Sequence, residues 1–177
     1  MNLKLIDLIV GVKRQVMQNN RIINYGVINL KRVGEDALLI CECIGHGKNG
    51  TAKEMIIETA VAETGLGAIE DKTIGAGMGI TQFDDKPFQD IRDRNQKLRP
   101  KILKELGIDI NLVEWDDLRY NQFLALLFTR LHYWLKGDPI PATIEERAKY
   151  WKLHYNTVQG KGTPEHYLEM NRKYGAL

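Results

Sequence analysis

The sequence is poor in the residues that build metal centres and disulfide frameworks. Its 177 residues include two cysteines and four histidines. Cys41 and Cys43 stand two positions apart in a predicted helix, where their side chains diverge, so we expect two buried free thiols and no bridge between them. The histidines show no metal-ligand spacing to cysteines or carboxylates, which predicts no metal and no other cofactor: His46, His132, His154 and His166.

Long apolar runs and a strong charge of one sign are also missing. The N-terminal run 3–10 is too short to span a bilayer, and Asp7 interrupts it. No small-residue cleavage site follows, so we expect neither stable membrane insertion nor a signal peptide. The formal net charge of +2 is too small to indicate a nucleic-acid partner by itself. With no linker, repeat or low-complexity tract, residues 1–177 are predicted to form a single domain.

Hydrophobic periodicity predicts a mainly α fold. Leu38, Leu39 and Cys43 are expected to face inward in the second helix, and Pro100 to kink or split the fourth. Four of the predicted helices cover residues 3–18, 30–44, 88–106 and 111–136. The third helix of the chain begins at a capping box formed by Thr51 and Glu54. A second capping box, Thr143 and Glu146, begins a helix that ends at Asn156, and Thr163 and Pro164 begin a last short helix.

The third predicted helix ends at a carboxylate beside a glycine-rich stretch. Glu58 and Glu63 are five residues apart, so they lie on different faces, and only Glu63 adjoins the glycines. Residues 64–83 predict a loop, or a small β-hairpin through Ile69–Ile74, in which glycines let the backbone approach a ligand. Burial would raise the pKa of Glu63 and make it a general acid. The alternative is a helix-terminal surface acid followed by a flexible turn.

Three ordered segments resemble signatures of the lysozyme-like superfamily, in particular of its lytic transglycosylases and its small phage and prophage proteins. The segments are 62–65 (Ala-Glu-Thr-Gly), 77–83 (Gly-Met-Gly-Ile-Thr-Gln-Phe) and 154–156 (His-Tyr-Asn), and the resemblance covers about residues 51–170. The chain departs from the family pattern at three places. Thr64 stands where the family has serine, Ile80-Thr81 interrupts the G-L-M-Q form, and Thr157 follows Asn156 in place of Ala-Gly.

The resemblance implies a lysozyme-like domain with its glycine-rich loop or β-hairpin beside the catalytic helix. It implies that Glu63 is the catalytic acid and that the Tyr155 hydroxyl orients it, although Tyr155 could instead be a core aromatic. The expected substrate contacts are Thr64, Gly77, Met78, Gly79, Gln82, Phe83, Asp84 and Asn156. The implied partner is the glycan strand of peptidoglycan.

The number of catalytic carboxylates separates two mechanisms. Glycoside hydrolysis usually needs two carboxylates, whereas a lytic transglycosylase, by resemblance, uses one to form a 1,6-anhydro ring. We expect one catalytic carboxylate, Glu63, which would act on the MurNAc–GlcNAc β-1,4 bond. Asp84 or Asp85 is the candidate second carboxylate of a hydrolytic lysozyme, and Asp71 is a weaker candidate. Asp84 and Asp85 could instead cap the next helix.

Two other classes of protein remain as alternatives. One is a non-catalytic virion or wall-binding protein with the same fold. The other is a helical nucleic-acid-binding domain that uses the basic side chains of residues 92–104, although no aromatic side chains are interleaved with them to stack on bases. These basic side chains are also explained by a solvated helix face, or by a surface that guides an anionic polymer. The resemblance implies a phage endolysin or virion component, made in the host cytoplasm and acting on the wall after holin release or as part of the virion.

Overall fold

Helices make up most of the described chain. The computed structural model describes residues 16–18, 21–27, 29–71, 76–157 and 160–175. Strands β1 (Val16–Gln18) and β2 (Arg21–Ile23) pair antiparallel. The α-helices are α1 (Leu30–Ile44), α2 (Ala52–Thr64), α3 (Asp85–Arg94), α4 (Arg99–Leu106), α5 (Gln122–Trp134), α6 (Ile144–Trp151) and α7 (Pro164–Tyr174). Short 3₁₀ helices cover Gly79–Thr81 and Trp115–Tyr120, and α6 continues as one π-helical segment, Lys152–Asn156.

Helix α2 occupies the centre of the core. Its sequence is apolar on nearly every face, which is typical of a helix surrounded by others. It packs against α1, α5, α7 and the 3₁₀ helix Gly79–Thr81. Gly65 ends α2 in the left-handed conformation, with its N–H bonded to the Val61 carbonyl oxygen at 2.8 Å. Glu63 and Thr64 therefore lie in the last turn of α2.

The two carboxylates of α2 have separate surroundings. Glu58 forms a bidentate ion pair with Arg147, with N–O distances of 2.7 and 2.6 Å, and accepts a hydrogen bond from the Tyr167 hydroxyl at 2.8 Å. This buried cluster ties α2 to α6 and α7. Glu63 lies on a different face, as the five-residue spacing predicts.

Several predicted helix boundaries are confirmed. Helix α1 spans the predicted range. Pro100 splits the fourth predicted helix, because α3 ends at Arg94 and Pro100 lies in the first turn of α4. The Thr143 hydroxyl caps α6 by accepting from the Glu146 N–H, and Thr163 caps α7 in front of Pro164.

Four local predictions are wrong. Val16–Gln18 form a strand, not the end of a helix; residues 3–15 of that prediction lie outside the described residues. Leu38 and Leu39 are 41% and 44% exposed, because α1 buries the face that carries Ile40 and Cys41. The Thr51 hydroxyl donates to the Pro141 carbonyl and so makes no capping box. The segment 111–136 is not one helix: the 3₁₀ helix Trp115–Tyr120 precedes α5, which begins after the Asn121 cap.

The predicted hairpin lies only partly in the described region. Ile69, Glu70 and Asp71 are not in a strand, and residues 72–75, including Gly75, lie outside the described residues. The antiparallel contact found nearby is a single bridge between Met78 and Phe83, on either side of a 3₁₀ turn.

The buried cluster of Glu58 predicts a specific loss of stability. Arg147→Met leaves Glu58 buried without a cation, which should lower the free energy of unfolding by about 3 kcal/mol in urea titrations. Arg94→Met is the matched control, because it breaks an exposed pair with Asp90 and should cost less than about 1 kcal/mol. Equal losses in the two variants would show that the Glu58 pair is no more stabilising than a surface pair.

Candidate active site

Glu63 lines a cavity of about 250 Å³ at the end of α2. The walls come from the glycine-rich segment, the start of α3, α5 and the π-helical segment. The lining residues are Glu63, Asp71, Ala76, Gly77, Gln82, Phe83, Asp84, Pro87, His132, Tyr155, Asn156 and Gly160. Residues far apart in sequence therefore meet around one carboxyl group.

The environment of Glu63 favours its protonated form. The pKa of Glu63 is raised from 4.5 to about 8, mainly by burial and also by the negative charge of Asp84, whereas a hydrogen bond from Trp151 opposes the shift. The Trp151 indole N–H donates to Oε1 of Glu63 at 3.1 Å. Among the described residues no group donates to Oε2, so this oxygen is open to the cavity. At neutral pH the side chain is an acid with a proton to transfer.

Trp151 is a site residue that the sequence interpretation missed. Its indole is buried between Tyr167, whose ring centre lies 5.3 Å away, and Gly162. A side chain at Gly162 would collide with the indole, so glycine lets the segment before α7 pass over it. The available signal was the position of Trp151 four residues before Tyr155, about one helical turn away.

Asp84 and Asp85 differ in position. Asp84 lies at the rim of the cavity, where partial burial raises its pKa, and it acts on Glu63 through its charge. Its side chain does not cap α3, although its backbone is at the N-cap position. Asp85 lies outside the cavity lining, is exposed and accepts a hydrogen bond from Gln89 at 3.1 Å. Of the two aspartates, Asp84 is the one that shares the cavity with Glu63.

Tyr155 contributes to the cavity wall without a hydrogen bond to Glu63. Its hydroxyl donates to the Thr81 carbonyl oxygen at 2.7 Å and lies 3.5 Å from the Thr129 hydroxyl. Its ring packs edge-on against Phe83 and His132. Tyr155 therefore holds the cavity floor against α5, and the hydrogen bond to the acid comes from Trp151 instead.

The glycine-rich segment forms the cavity floor. Gly77 lies so close to the Gln82 backbone that a side chain at residue 77 would collide with it. Gly79 has φ of +69° and touches the Leu118 carbonyl. Gln82 also takes the left-handed conformation, and its side-chain amide donates to the Gly79 carbonyl at 2.9 Å. These contacts fold the floor into a tight turn.

Three of the predicted substrate contacts do not reach the cavity. Thr64 is buried; its hydroxyl donates to the Ile80 carbonyl at 2.7 Å and accepts from the Gly67 N–H at 3.0 Å. Met78 is buried in the core, and Gly79 packs against α5 and the neighbouring 3₁₀ helix. The predicted residues that do line the cavity are Gly77, Gln82, Phe83, Asp84 and Asn156.

His132 and Lys152 were also missed by the sequence interpretation. His132 lines the cavity, burial lowers its pKa to about 4, and its Nε2–H donates to the His154 carbonyl at 2.7 Å. The imidazole is therefore neutral at pH 7. Lys152 donates to Oδ1 of Asn156 at 2.9 Å and to the Gly160 carbonyl at 2.8 Å, which fixes one wall of the cavity. Neither residue belongs to a recognisable spacing motif.

The basic stretch 92–104 is largely engaged with neighbouring groups. Arg94 pairs with Asp90, Arg99 with Asp109, and Lys101 with Glu105. Arg92 donates to the Asn111 carbonyl. The result is a surface of mixed charge, which is the pattern of a solvated helix face.

The described residues offer neither a metal centre nor a helix that could cross a membrane. In the described part of the chain, no cluster of three or more His, Cys, Asp or Glu side chains could hold a metal ion. No helix in the described ranges combines the length and apolar character needed to cross a bilayer. Comparisons with family models, curated proteins and solved structures gave no match.

The raised pKa of Glu63 predicts a pH-dependent stability difference. The unfolded chain loses the Glu63 proton near pH 4.5 and the folded chain near pH 8, so this group lowers wild-type stability as pH rises between these values. Glu63→Gln lacks this loss. Its Tm relative to wild type should rise from pH 4.5 to pH 8 and then level off, as measured by circular dichroism.

A matched variant on the same helix controls for the amide substitution. Glu54→Gln changes an exposed carboxyl in the first turn of α2. Its Tm difference from wild type should stay constant between about pH 6 and about pH 8. A constant difference for Glu63→Gln as well would mean that Glu63 has an ordinary pKa.

Proposed function

We propose that this protein is a peptidoglycan-cleaving glycosidase of the lytic transglycosylase type, with Glu63 as general acid and then general base. The observation that carries the proposal is a carboxyl group with a pKa of about 8, open through one oxygen to a cavity with a tight glycine floor. A general acid needs a pKa near the working pH and a path to the substrate oxygen. Glu63 meets both requirements.

The proposed reaction uses one carboxyl group twice. Protonated Glu63 gives its proton to the glycosidic oxygen as the bond from that oxygen to C1 of MurNAc breaks. The Glu63 carboxylate then takes the proton of the MurNAc 6-hydroxyl as this oxygen bonds to C1 and closes the 1,6-anhydro ring. The Trp151 N–H stabilises the ionised form between the two steps, because its hydrogen bond favours the carboxylate.

The resemblance and the geometry support the same substrate. The segments that resemble the lysozyme-like superfamily supply Glu63, Gln82 and Asn156, and all three side chains line one cavity. Gln82 and Asn156 bring amide groups to the walls, which suits the hydroxyl and acetamido groups of a glycan. The setting that fits this substrate is a phage endolysin or a virion-associated lysin, acting on the wall after holin release or as part of the virion.

Asp84 favours a hydrolytic lysozyme as the second candidate function. It occupies the same cavity as Glu63 and could activate a water or form a glycosyl intermediate. In the transglycosylase proposal Asp84 has a different role: its charge adds to the effect of burial, which keeps Glu63 protonated. The two roles predict different products and different effects of replacing Asp84.

Glu63→Gln tests the acid. The substitution keeps the shape and removes the transferable proton, so peptidoglycan cleavage should fall by about 10²–10⁴-fold while glycan binding survives. The wild-type kcat/KM should fall above about pH 8, where Glu63 loses its proton. Glu54→Gln, on the same helix, should keep full activity.

Retention of most activity in a folded Glu63→Gln variant would remove Glu63 from the mechanism. Glu58 could not then take its place without a rearrangement, since Arg147 and Tyr167 already occupy its oxygens. Loss of glycan binding together with activity would indicate a binding role. No cleavage by the wild type, with binding retained, would favour the non-catalytic wall-binding alternative.

Asp84→Asn and Asp85→Asn form a matched pair that separates the two mechanisms. With a transglycosylase, mass spectrometry of wild-type digests should find anhydro-muramyl ends, and both variants should retain substantial activity. Loss of the Asp84 charge should also move the alkaline limb of kcat/KM to lower pH, and Asp85→Asn should not. Reducing ends from the wild type and near-complete inactivation of folded Asp84→Asn would instead establish the lysozyme mechanism.

A further inference from the structure

A second cavity lies between the end of α1 and the end of α5. It has a volume of about 480 Å³, and none of its lining residues lines the cavity of Glu63. The wall consists of the end of α1, the loop 45–48, the end of α5 and the segment 136–140. Ile44, Tyr133, Trp134 and Ile140 form its apolar part.

Arg130 is a buried cation without a counter-ion in this wall. Arg130 is only 2% exposed. Its Nε–H and Nη2–H both donate to the Gly45 carbonyl oxygen, at 3.1 and 2.8 Å. Within the described residues no carboxylate lies within 4.0 Å of the guanidinium. Burial of an uncompensated cation is costly, and the Arg130 pKa is lowered by this burial.

The neighbouring groups do not neutralise Arg130. The Cys41 thiol is close, but burial raises its pKa to about 11, so it is uncharged at pH 7. The guanidinium carbon lies 5.6 Å from the centre of the Trp134 ring, a cation–π contact that compensates only part of the lost hydration. Arg130 therefore retains its positive charge inside the protein wall.

Other cations surround the same cavity. Lys48 and Lys136 line it, together with His46. Asp138 is the carboxylate in the lining, and its side chain is 76% exposed, where water screens its charge. The cavity therefore combines one buried guanidinium, two lysines and a glycine-bordered loop with a single solvated negative charge.

We propose that this second cavity is a binding site for an oxyanion, a phosphate or carboxylate group, with Arg130 as its central ligand. Arg130 lines the cavity, and its hydrogen bonds go to two uncharged groups, the Gly45 carbonyl and the Cys41 thiol. Among the described residues no carboxylate therefore competes with an oxyanion for the guanidinium. A guanidinium binds phosphate and carboxylate oxygens through charge-assisted hydrogen bonds, and Lys48 and Lys136 add charge at the entrance. The proposal is independent of the function of Glu63.

Inorganic phosphate and acetate are the probes for the two oxyanion classes. In NMR titrations of the full chain, phosphate should shift the Arg130 Nε–H and Trp134 indole signals saturably, and the indole of Trp151 should not respond. Acetate tests the carboxylate class in the same way. Sodium chloride at matched ionic strength is the screening control. No saturable shift with either probe, or an equal shift with chloride, would overturn the proposal.

Two double variants test the location without altering the buried arginine. Lys48→Ala with Lys136→Ala should weaken binding of the shifting probe about tenfold, since each removed cation contributes a few-fold. Lys97→Ala with Lys104→Ala removes the same charge from exposed positions within the stretch 92–104, outside the cavity lining, and should change affinity less than about twofold. Equal weakening by both pairs would assign the effect to net charge and remove the site.

Discussion

The desolvation of one carboxyl group is the constraint on which the candidate site depends. Glu63 ends a helix that is surrounded by other helices, so its side chain reaches the cavity from the core side, where water is scarce. The resulting pKa of about 8 makes it a proton donor at neutral pH. The surroundings maintain this condition, because Asp84 adds negative charge and the neutral His132 adds no positive charge.

The two glutamates of α2 illustrate how environment assigns roles to identical side chains. Glu58 receives two hydrogen bonds from Arg147 and one from Tyr167, which satisfies its negative charge and ties three helices together. Glu63 receives one hydrogen bond from a neutral indole, which supports its negative charge only weakly. One carboxylate therefore stabilises the fold, and the other is left able to exchange a proton. Arg130 is a cationic counterpart, a buried charge that donates to the Gly45 carbonyl and has no carboxylate partner among the described residues.

The elements that the sequence predicted well are those with strong local signals. Thr143 and Thr163 are good N-caps, and Gly45 follows the last residue of α1. Proline is tolerated in the first turn of a helix but not in its interior, so Pro100 begins a new helix. These boundaries therefore follow from residues that are close in sequence. The inward direction of Glu63 also followed from local pattern, a five-residue spacing and an adjoining glycine stretch. The errors occurred where distant contacts compete with local ones. The Thr51 hydroxyl bonds to Pro141, about ninety residues away, and Leu38 and Leu39 are exposed because the packing of α1 on α2 and α5 selects another face.

The sequence by itself determined a mainly helical chain, with an apolar helix that carries Glu63 in its last turn. These depend on periodicity, capping and backbone freedom, which act over a few residues. Only the tertiary structure decided which groups meet Glu63. It brought the Trp151 indole to the acid, turned the Tyr155 hydroxyl to Thr81, placed Asp84 and not Asp85 in the cavity, and buried Thr64. Such choices depend on how helices far apart in sequence pack together, and a local pattern carries no information about that packing.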